Sequence, residues 1–394
     1  MEIQLIDNSN SEEFIRPIRD YLERKASEGP AEGGRPKTVF IHREGTAGFK
    51  ARNLNLGLRS ANGEFFLILD ADSWVHADTL LSALPYFRVD PNLGFLQFRI
   101  DPLNEERNII SMSAAIMVRA RYKVMALRDT QGLVQFDGHN GVFRREALES
   151  VGGWSEQVSE DLATSVKVVL AGYRARYANL PSGELVPSSL RELISQRKRW
   201  ATGTMFFLRH DALSILKSSR LRWFEKLDLL FAALYIILEA LICALVLTFA
   251  PLPIVSVLII LLVFSLLPTC LVAGAGPWRT IRRQASLIFI VSAILPALLQ
   301  GAAAGMSNRE LSFDVTRKFE NVRMTVTDFM LGHGFGFAIA LLFFSGAAWL
   351  CSGPVDFLNK YLAGTIIMGS VVAAPIMLEL KSVRDRRAPD RSGS

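Results

Sequence analysis

The sequence predicts an α/β domain, an open and mainly parallel sheet with helices on both faces, followed by an α-helical transmembrane region. Three observations predict it. Short strand-like runs alternate with amphipathic helical patterns through the first half, and charged residues thin out beyond about Asp228. Past that point, uncharged apolar runs approach the roughly 20 residues that a helix needs to cross hydrocarbon. At 394 residues and 50% apolar, the chain also exceeds one ordinary soluble domain.

In chain order, residues 2–6, 38–42, 65–69 and 95–99 read as strands, with helical patterns at 11–25, 47–60 and 78–88 between them. Ligands of such sheets sit outside the carboxyl ends of the strands, which makes acidic residues there the first candidates. Asp7 closes the run Leu5-Ile6-Asp7-Asn8-Ser9, where it either accepts hydrogen bonds from a ligand base or caps the next helix. The run Phe65–Leu69 delivers Asp70 and Asp72 at i and i+2. Such a pair suits Mg²⁺ (or Mn²⁺), which would neutralise a diphosphate leaving group.

Farther along, Ser159-Glu160-Asp161 precedes an amphipathic helix, and its carboxylates either cap that helix or carry chemistry. Ser195-Gln196-Arg197-Lys198-Arg199-Trp200 places an amide, guanidinium groups and an indole within two helical turns. That combination grips phosphate and stacks on a sugar ring; the alternative is an amphipathic helix lying on a membrane surface.

Five apolar runs follow, at 229–249, 253–273, 287–305, 335–352 and 362–379. The connections holding Arg279, Arg282 and Arg283, then Arg309, Arg317, Lys318 and Arg323, then Lys381, Arg384, Arg386, Arg387 and Arg391 are basic and so belong on the cytoplasmic side. Links 250–252 and 353–361 carry almost no positive charge and face outward. Parity then keeps the 287–305 run from crossing. It reads as an interfacial helix, to which Pro296, Gln300 and Gly301 are suited, with a kinked span as the alternative.

The net charge of +6 resides largely in juxtamembrane loops beside anionic headgroups, so the lipid bilayer is the expected partner and nucleic acid is not. Cys243, Cys270 and Cys351 fall inside apolar runs, away from any metal-ligand spacing, and read as packing residues. Met1 leads directly into the first strand rather than into a cleavable signal peptide, so insertion is expected to use internal segments. Glu239 in the first span is costly in lipid and either lines a path through the bundle or is hydrogen-bonded within it.

Taken in order, Asp7, Asp70-Ala71-Asp72, Ser159-Glu160-Asp161 and Gln196-Arg197-Lys198-Arg199-Trp200 resemble the D, DxD, (T/S)ED, QxxRW signature of processive family 2 glycosyltransferases. Gly48-Phe49-Lys50-Ala51-Arg52-Asn53-Leu54-Asn55 looks like their KAGNLN segment, with Arg52 where glycine is usual. Phe313-Asp314-Val315-Thr316-Arg317-Lys318 is similar to the gating loop of bacterial cellulose synthase catalytic subunits, the β-glucan synthase group. Phe136-Asp137-Gly138-His139-Asn140 departs from that group and is similar instead to synthases of osmoregulated periplasmic glucans.

The resemblance implies a GT-A-like domain at 1–190 whose N-terminal strand is missing and interfacial helices at 191–228 carrying QRKRW. It further implies a region 229–380 with four spans, interfacial helix 287–305 and gating loop 308–325, then a basic cytosolic tail at 381–394. It implies transfer of glucose from a UDP-sugar donor to a polysaccharide acceptor, at the inner (plasma) membrane, with an envelope export subunit as a further partner. Asp161 would be the catalytic base; Asp7, Lys50, Asp70, Gln196, Arg199, Trp200, Thr316 and Lys318 would hold the donor; Asp72 and Asp70 the metal; Glu160, Trp200, His139 and Asn140 the acceptor side. Arg197 and Lys198 are expected to be peripheral. Another β-polysaccharide synthase, a truncated inactive subunit and, less favoured, a small transporter are the competing readings.

Overall fold

The computed structural model describes residues 1–27, 36–45, 48–231, 234, 290, 293–294 and 297–307. Strand β1 (Glu2–Asp7) pairs in parallel with β2 (Lys37–His42) through the crossover helix α1 (Glu12–Ser27), which buries Ile15 and opens on the acidic pair Glu12 and Glu13. Helix α2 (Phe49–Ser60) lies close to β1, because a Cβ at Gly57 would stand 2.7 Å from Gln4 Oε1 and Ile6 Cδ1.

The remaining strands are β3 (Phe65–Ile68), β4 (Trp74–Val75), β5 (Leu93–Pro102), β6 (Gly141–Arg144) and β7 (Arg174–Glu184), with helices α3 (Thr79–Val89), α4 (Ile109–Asp129), α5 (Arg145–Ser150) and α6 (Glu160–Ala171) among them. They form one sheet in the order β3-β6-β5-β7-β4. Strand β5 is central, and its segment Leu93–Phe98, apolar but for Gln97, is buried throughout, as a strand covered on both faces must be. On one face Phe95, Phe143, Phe136 and Trp154 interlock, with ring centroids 4.8 Å apart for Phe95–Phe143, Phe136–Phe143 and Phe143–Trp154. On the other, Leu96, Phe98 and Val142 meet Ala83 and Phe87 of α3. Truncating one of these aromatic residues to alanine would cost about 3–5 kcal/mol.

Predicted strands 2–6, 38–42, 65–69 and 95–99 correspond to β1, β2, β3 and β5, and predicted helices 11–25, 47–60 and 78–88 to α1, α2 and α3. The mainly parallel sheet requires correction. The β1–β2 pair stands as its own two-stranded sheet, and in the five-stranded sheet only β5 and β7 run parallel. The chain returns through the buried loop 136–140 and threads β6 between β3 and β5, antiparallel to both.

Helix α7 (Leu190–Lys217) begins with a capping box in which Ser189 and Glu192 satisfy each other's backbone N–H groups. The described part of the 287–305 run is helical at 297–306 and packs on α7. Side chains at Gly301 and Gly305 would overlap the carbonyl oxygens of Lys198 and Thr202, so glycine is what permits the approach. Ile290, Ile294, Ala297 and Leu298 share a core with Ile109, Leu193, Ile194 and Ala201, and Arg209 Nη1 donates to the terminal carbonyls of Met306 and Ser307 at 3.3 and 3.2 Å.

Among the described residues no helix is long and apolar enough to cross a membrane. Nearly all of the 229–249 run, and all of 253–273, 335–352, 362–379, the 308–325 loop with Thr316 and Lys318, Glu239, Pro296, the three cysteines and the 381–394 tail, lie outside the described residues.

Candidate active site

The end of β3 turns sharply. Asp70 N–H donates to Ser73 Oγ at 3.1 Å and Ser73 N–H to the Asp70 carbonyl at 3.0 Å, a turn that brings the Asp70 and Asp72 carboxyls to the sheet's edge before β4 begins. Strand β4 is pinned in turn, with Trp74 opposite Gly183 and Val75 opposite Ser182 of β7. The aspartate pair is therefore bracketed by two paired strands.

From α2, Lys50 reaches this turn and makes an ion pair with Asp70, while also donating to the Gly138 carbonyl at 3.0 Å. Burial opposes its charge, yet Asp70, Glu160 and Asp161 together hold the ammonium pKa above its ordinary value. The same residues mark the centre of the site. Gly138, at φ +91°, lies so near Asp161 that a Cβ there would stand 3.3 Å from Asp161 Oδ2.

Glu160 and Asp161 open α6, and both carboxyls are poorly solvated. Burial and the neighbouring charge of Asp161 push Glu160 up to about 8. Burial likewise raises Asp161, which the Leu162 N–H, bonded to Oδ1 at 2.7 Å, partly offsets. Both carboxyls therefore hold a proton more tightly than a solvated carboxyl would. Asp161 thus accepts an N–H of the first turn of α6, as its reading as a helix cap expected, while the Ser159 hydroxyl makes no cap bond and donates to the Gly203 carbonyl of α7 at 2.8 Å.

That bond ties α7 to the Ser159-Glu160-Asp161 turn. A Cβ on Gly203 would meet Ser159 Cβ at 3.1 Å, so the helix comes as close as a glycine allows. Gln196 is buried two turns before Gly203, Arg199 is partly covered, and Trp200 is 42% exposed. The Arg197 guanidinium lies 4.5 Å over the Trp200 ring and stacks on the indole.

The loop after Phe136 joins the two halves. His139 presents Nδ1 to Ser73 Oγ at 3.2 Å and Nε2 to Glu184 at 3.1 Å. Burial disfavours its charge, but Glu184 and Asp70 overcome this and raise it to about 9. Asn140 takes a left-handed conformation, φ 52°, and is fully buried, its N–H on the Ile68 carbonyl at 2.8 Å and its amide on Gly183 at 3.2 Å. Beside them Arg121 grips Asp137 with both its Nε and Nη2, which holds that carboxyl low in spite of burial, while burial and the charge of Asp137 raise neighbouring Tyr122 against the effect of Arg121.

Lys50, Asp70, Glu160, Asp161 and His139 thus lie near one another. Asp7 belongs to the other sheet, where its carboxylate accepts from Ser9 N–H at 3.1 Å and bonds His42 Nδ1 at 2.9 Å. His42, Ser73, Glu184, Gly203 and the Arg121–Asp137 pair escaped sequence reasoning. A signal existed only for His42, since a parallel β1–β2 pairing sets it opposite Asp7. Among the described residues no cluster of three or more His, Cys, Asp or Glu offers a complete metal cage. Two hard carboxylates on one turn nonetheless fit a divalent cation completed by phosphate oxygens and water.

The model for "Glycosyl transferase family group 2" matches residues 65–276, which include β3 to α7 and the Asp70, Asp161 and Gln196 motifs. Glucomannan 4-beta-mannosyltransferase 2 of Arabidopsis thaliana is 24% identical over 241 residues, covering 59% of this chain and 44% of that protein. Probable glucomannan 4-beta-mannosyltransferase 6 of Oryza sativa subsp. japonica is 26% identical over 233 residues, covering 57% and 39%. The chain thus spans less than half the length of these curated relatives. The mannosyltransferase PcManGT from Pyrobaculum calidifontis, solved in complex with GDP-Man and Mn²⁺, superposes with a TM-score of 0.52 at 20% identity, covering 78% of this chain and 79% of that one. That likeness bears on the fold, which is the GT-A-like α/β arrangement. With the family model spanning more than half its residues, the chain belongs to glycosyl transferase family group 2.

Proposed function

We propose that this chain is the catalytic part of an inverting, processive hexosyltransferase that extends a β-linked polysaccharide from a nucleoside-diphosphate sugar. The observation that carries it is the seating of Asp161 against the Gly138 peptide, beside the Lys50–Asp70 pair and with α7 anchored to its turn. Asp161 removes the proton from the acceptor hydroxyl, whose oxygen attacks the anomeric carbon from the face opposite the diphosphate. The carbon–oxygen bond to the diphosphate breaks in the same step and its electron pair leaves with the phosphate, so one displacement inverts the anomer. Lys50 and Arg199 supply positive charge to the leaving group, Gln196 supplies a donor, and Trp200 stacks on the acceptor sugar. Asp70 and Asp72 would hold Mg²⁺ or Mn²⁺, which when bound neutralises diphosphate charge.

Two donors compete. UDP-glucose follows from the likeness of the 313–318 segment to β-glucan synthases. GDP-mannose follows from the names of the plant relatives and of the Pyrobaculum calidifontis enzyme. We assign the reaction to the first, with Thr316 and Lys318 reaching the phosphates, the apolar runs spanning the inner membrane and the polymer leaving through them to an export partner. Membranes containing the full chain, given radiolabelled UDP-glucose or GDP-mannose with Mn²⁺, decide between them. Polymer labelled from UDP-glucose and released by β-glucanase supports the glucan; label from GDP-mannose released only by β-mannanase replaces it. Label from neither donor, in membranes where the chain is folded, would overturn the enzymatic reading.

A further inference from the structure

The Asp70–Asp72 turn is held from behind by a continuous chain of polar side chains. Asp70 N–H bonds Ser73 Oγ at 3.1 Å, Ser73 Oγ bonds His139 Nδ1 at 3.2 Å, and His139 Nε2 bonds Glu184 at 3.1 Å. His139 and Glu184 are 12% and 17% exposed, so water competes little for these bonds. The two ends are tied independently of this chain: Trp74, just past Ser73, pairs with Gly183, just before Glu184. The middle is fixed as well, because Gln97 Nε2 donates to the carbonyls of His139 and Asn140 at 3.1 Å each, and Asn140 bridges Ile68 and Gly183. The chain reaches the aspartate turn at the Asp70 backbone N–H, whose hydrogen bond Ser73 Oγ accepts.

We infer that Ser73 and Glu184 are positioning residues for the Asp70–Asp72 turn, acting through His139 to fix the two carboxylates in a spacing that receives a divalent cation with the nucleotide diphosphate. The inference rests on the reading of Asp70 and Asp72 as the metal and diphosphate site. Ser73 Oγ accepts from Asp70 N–H and shares a hydrogen bond with His139 Nδ1, whose other ring nitrogen bonds Glu184. Removing the hydroxyl releases Asp70 N–H, and removing the Glu184 charge releases the imidazole; in each case the turn gains freedom that cation binding must then restrict. Groups that orient metal ligands from outside typically change affinity about 10- to 100-fold.

The test is Mn²⁺ binding by the full chain in detergent, read as loss of the free Mn²⁺ paramagnetic resonance signal, with UDP and separately GDP present. Ser73→Ala and Glu184→Gln are expected to weaken Mn²⁺ about tenfold with thermal midpoints within a few degrees of the parent, and Ser73→Thr, which restores a hydroxyl, to recover most of it. Parent-like affinity in the alanine and glutamine variants overturns the inference and leaves the metal site standing. Weakening matched by an equal loss in Ser73→Thr, or by a collapse of the thermal midpoint, assigns these residues a purely structural role and overturns it too. A parent chain that takes up no Mn²⁺ with either nucleotide removes the metal reading itself, and the inference with it.

Discussion

Glu160 and Asp161 are consecutive carboxyls in a nearly water-free corner, and their environments divide the work between them. Asp161 has the N–H of Leu162 to stabilise its charge; Glu160 is pushed up to about 8 and is mostly protonated at neutral pH. Asp161→Asn is expected to lower the turnover by about 10²- to 10⁴-fold with little change in donor affinity, measured by initial rates against donor concentration. Glu160 also has a signature in stability. Its folded pKa lies above its ordinary 4.5, so the native state holds more protons than the unfolded state from about pH 4.5 to 8, and stability falls as pH rises through that range. Glu160→Gln should flatten the decline of the thermal midpoint between pH 5 and 8 in EDTA-containing buffer. The aspartates and this carboxyl pair were legible in the sequence because they follow strands or open a helix. Ser73 and Glu184 were not, since their meaning arises only when β4 and β7 pair across some 110 intervening residues.

At the level of elements, α7 is set by glycines. Gly203 admits the Ser159 turn, and Gly301 and Gly305 admit α7's own carbonyls. Gly203→Val should displace α7 from the catalytic turn, costing about 1–3 kcal/mol in stability and reducing activity beyond that loss. Gly301→Leu should shift the 297–306 helix, and cysteines placed on the facing surfaces of the two helices would report it as slower cross-linking. Periodicity placed α1, α2, α3 and the strands β1, β2, β3 and β5 within a few residues of where they stand, but left the long helix α4 and the long strand β7 unread. It missed β6 and the edge strand β4, which are four and two residues long, too short for alternation to register. With β6 unread, nothing in the pattern foretold the antiparallel pairs that flank it.

For the molecule as a whole, the basic and acidic groups of the site share one pH dependence. His139, raised from 6.5 to about 9 by Glu184 and Asp70 against the effect of burial, binds its proton more tightly when folded, so its contribution is complete below about pH 6.5 and lost as pH rises through 9. Glu160 adds to the lower part of that decline. The stability of the full chain in EDTA is therefore expected to fall between pH 6.5 and 9 by an amount on the order of 1–3 kcal/mol, read as a falling thermal midpoint, and His139→Gln should remove most of the upper part.

The packing of residues 290–307 on α7 and α4 bears on how the protein is made. Ile109, Leu193, Ile194 and Ala201 find their covering residues about 100 or more positions later, beyond the first two apolar runs. During synthesis the domain that carries Asp70 and Asp161 leaves the ribosome with one apolar flank still open, and closes only when the chain near Ser307 has emerged. A chain stopped at Asp228 should hold its sheet yet bind a hydrophobic dye and self-associate, and adding residues 290–307 as a separate peptide should reduce both. Catalytic maturation and membrane insertion would then be one event in time, not two.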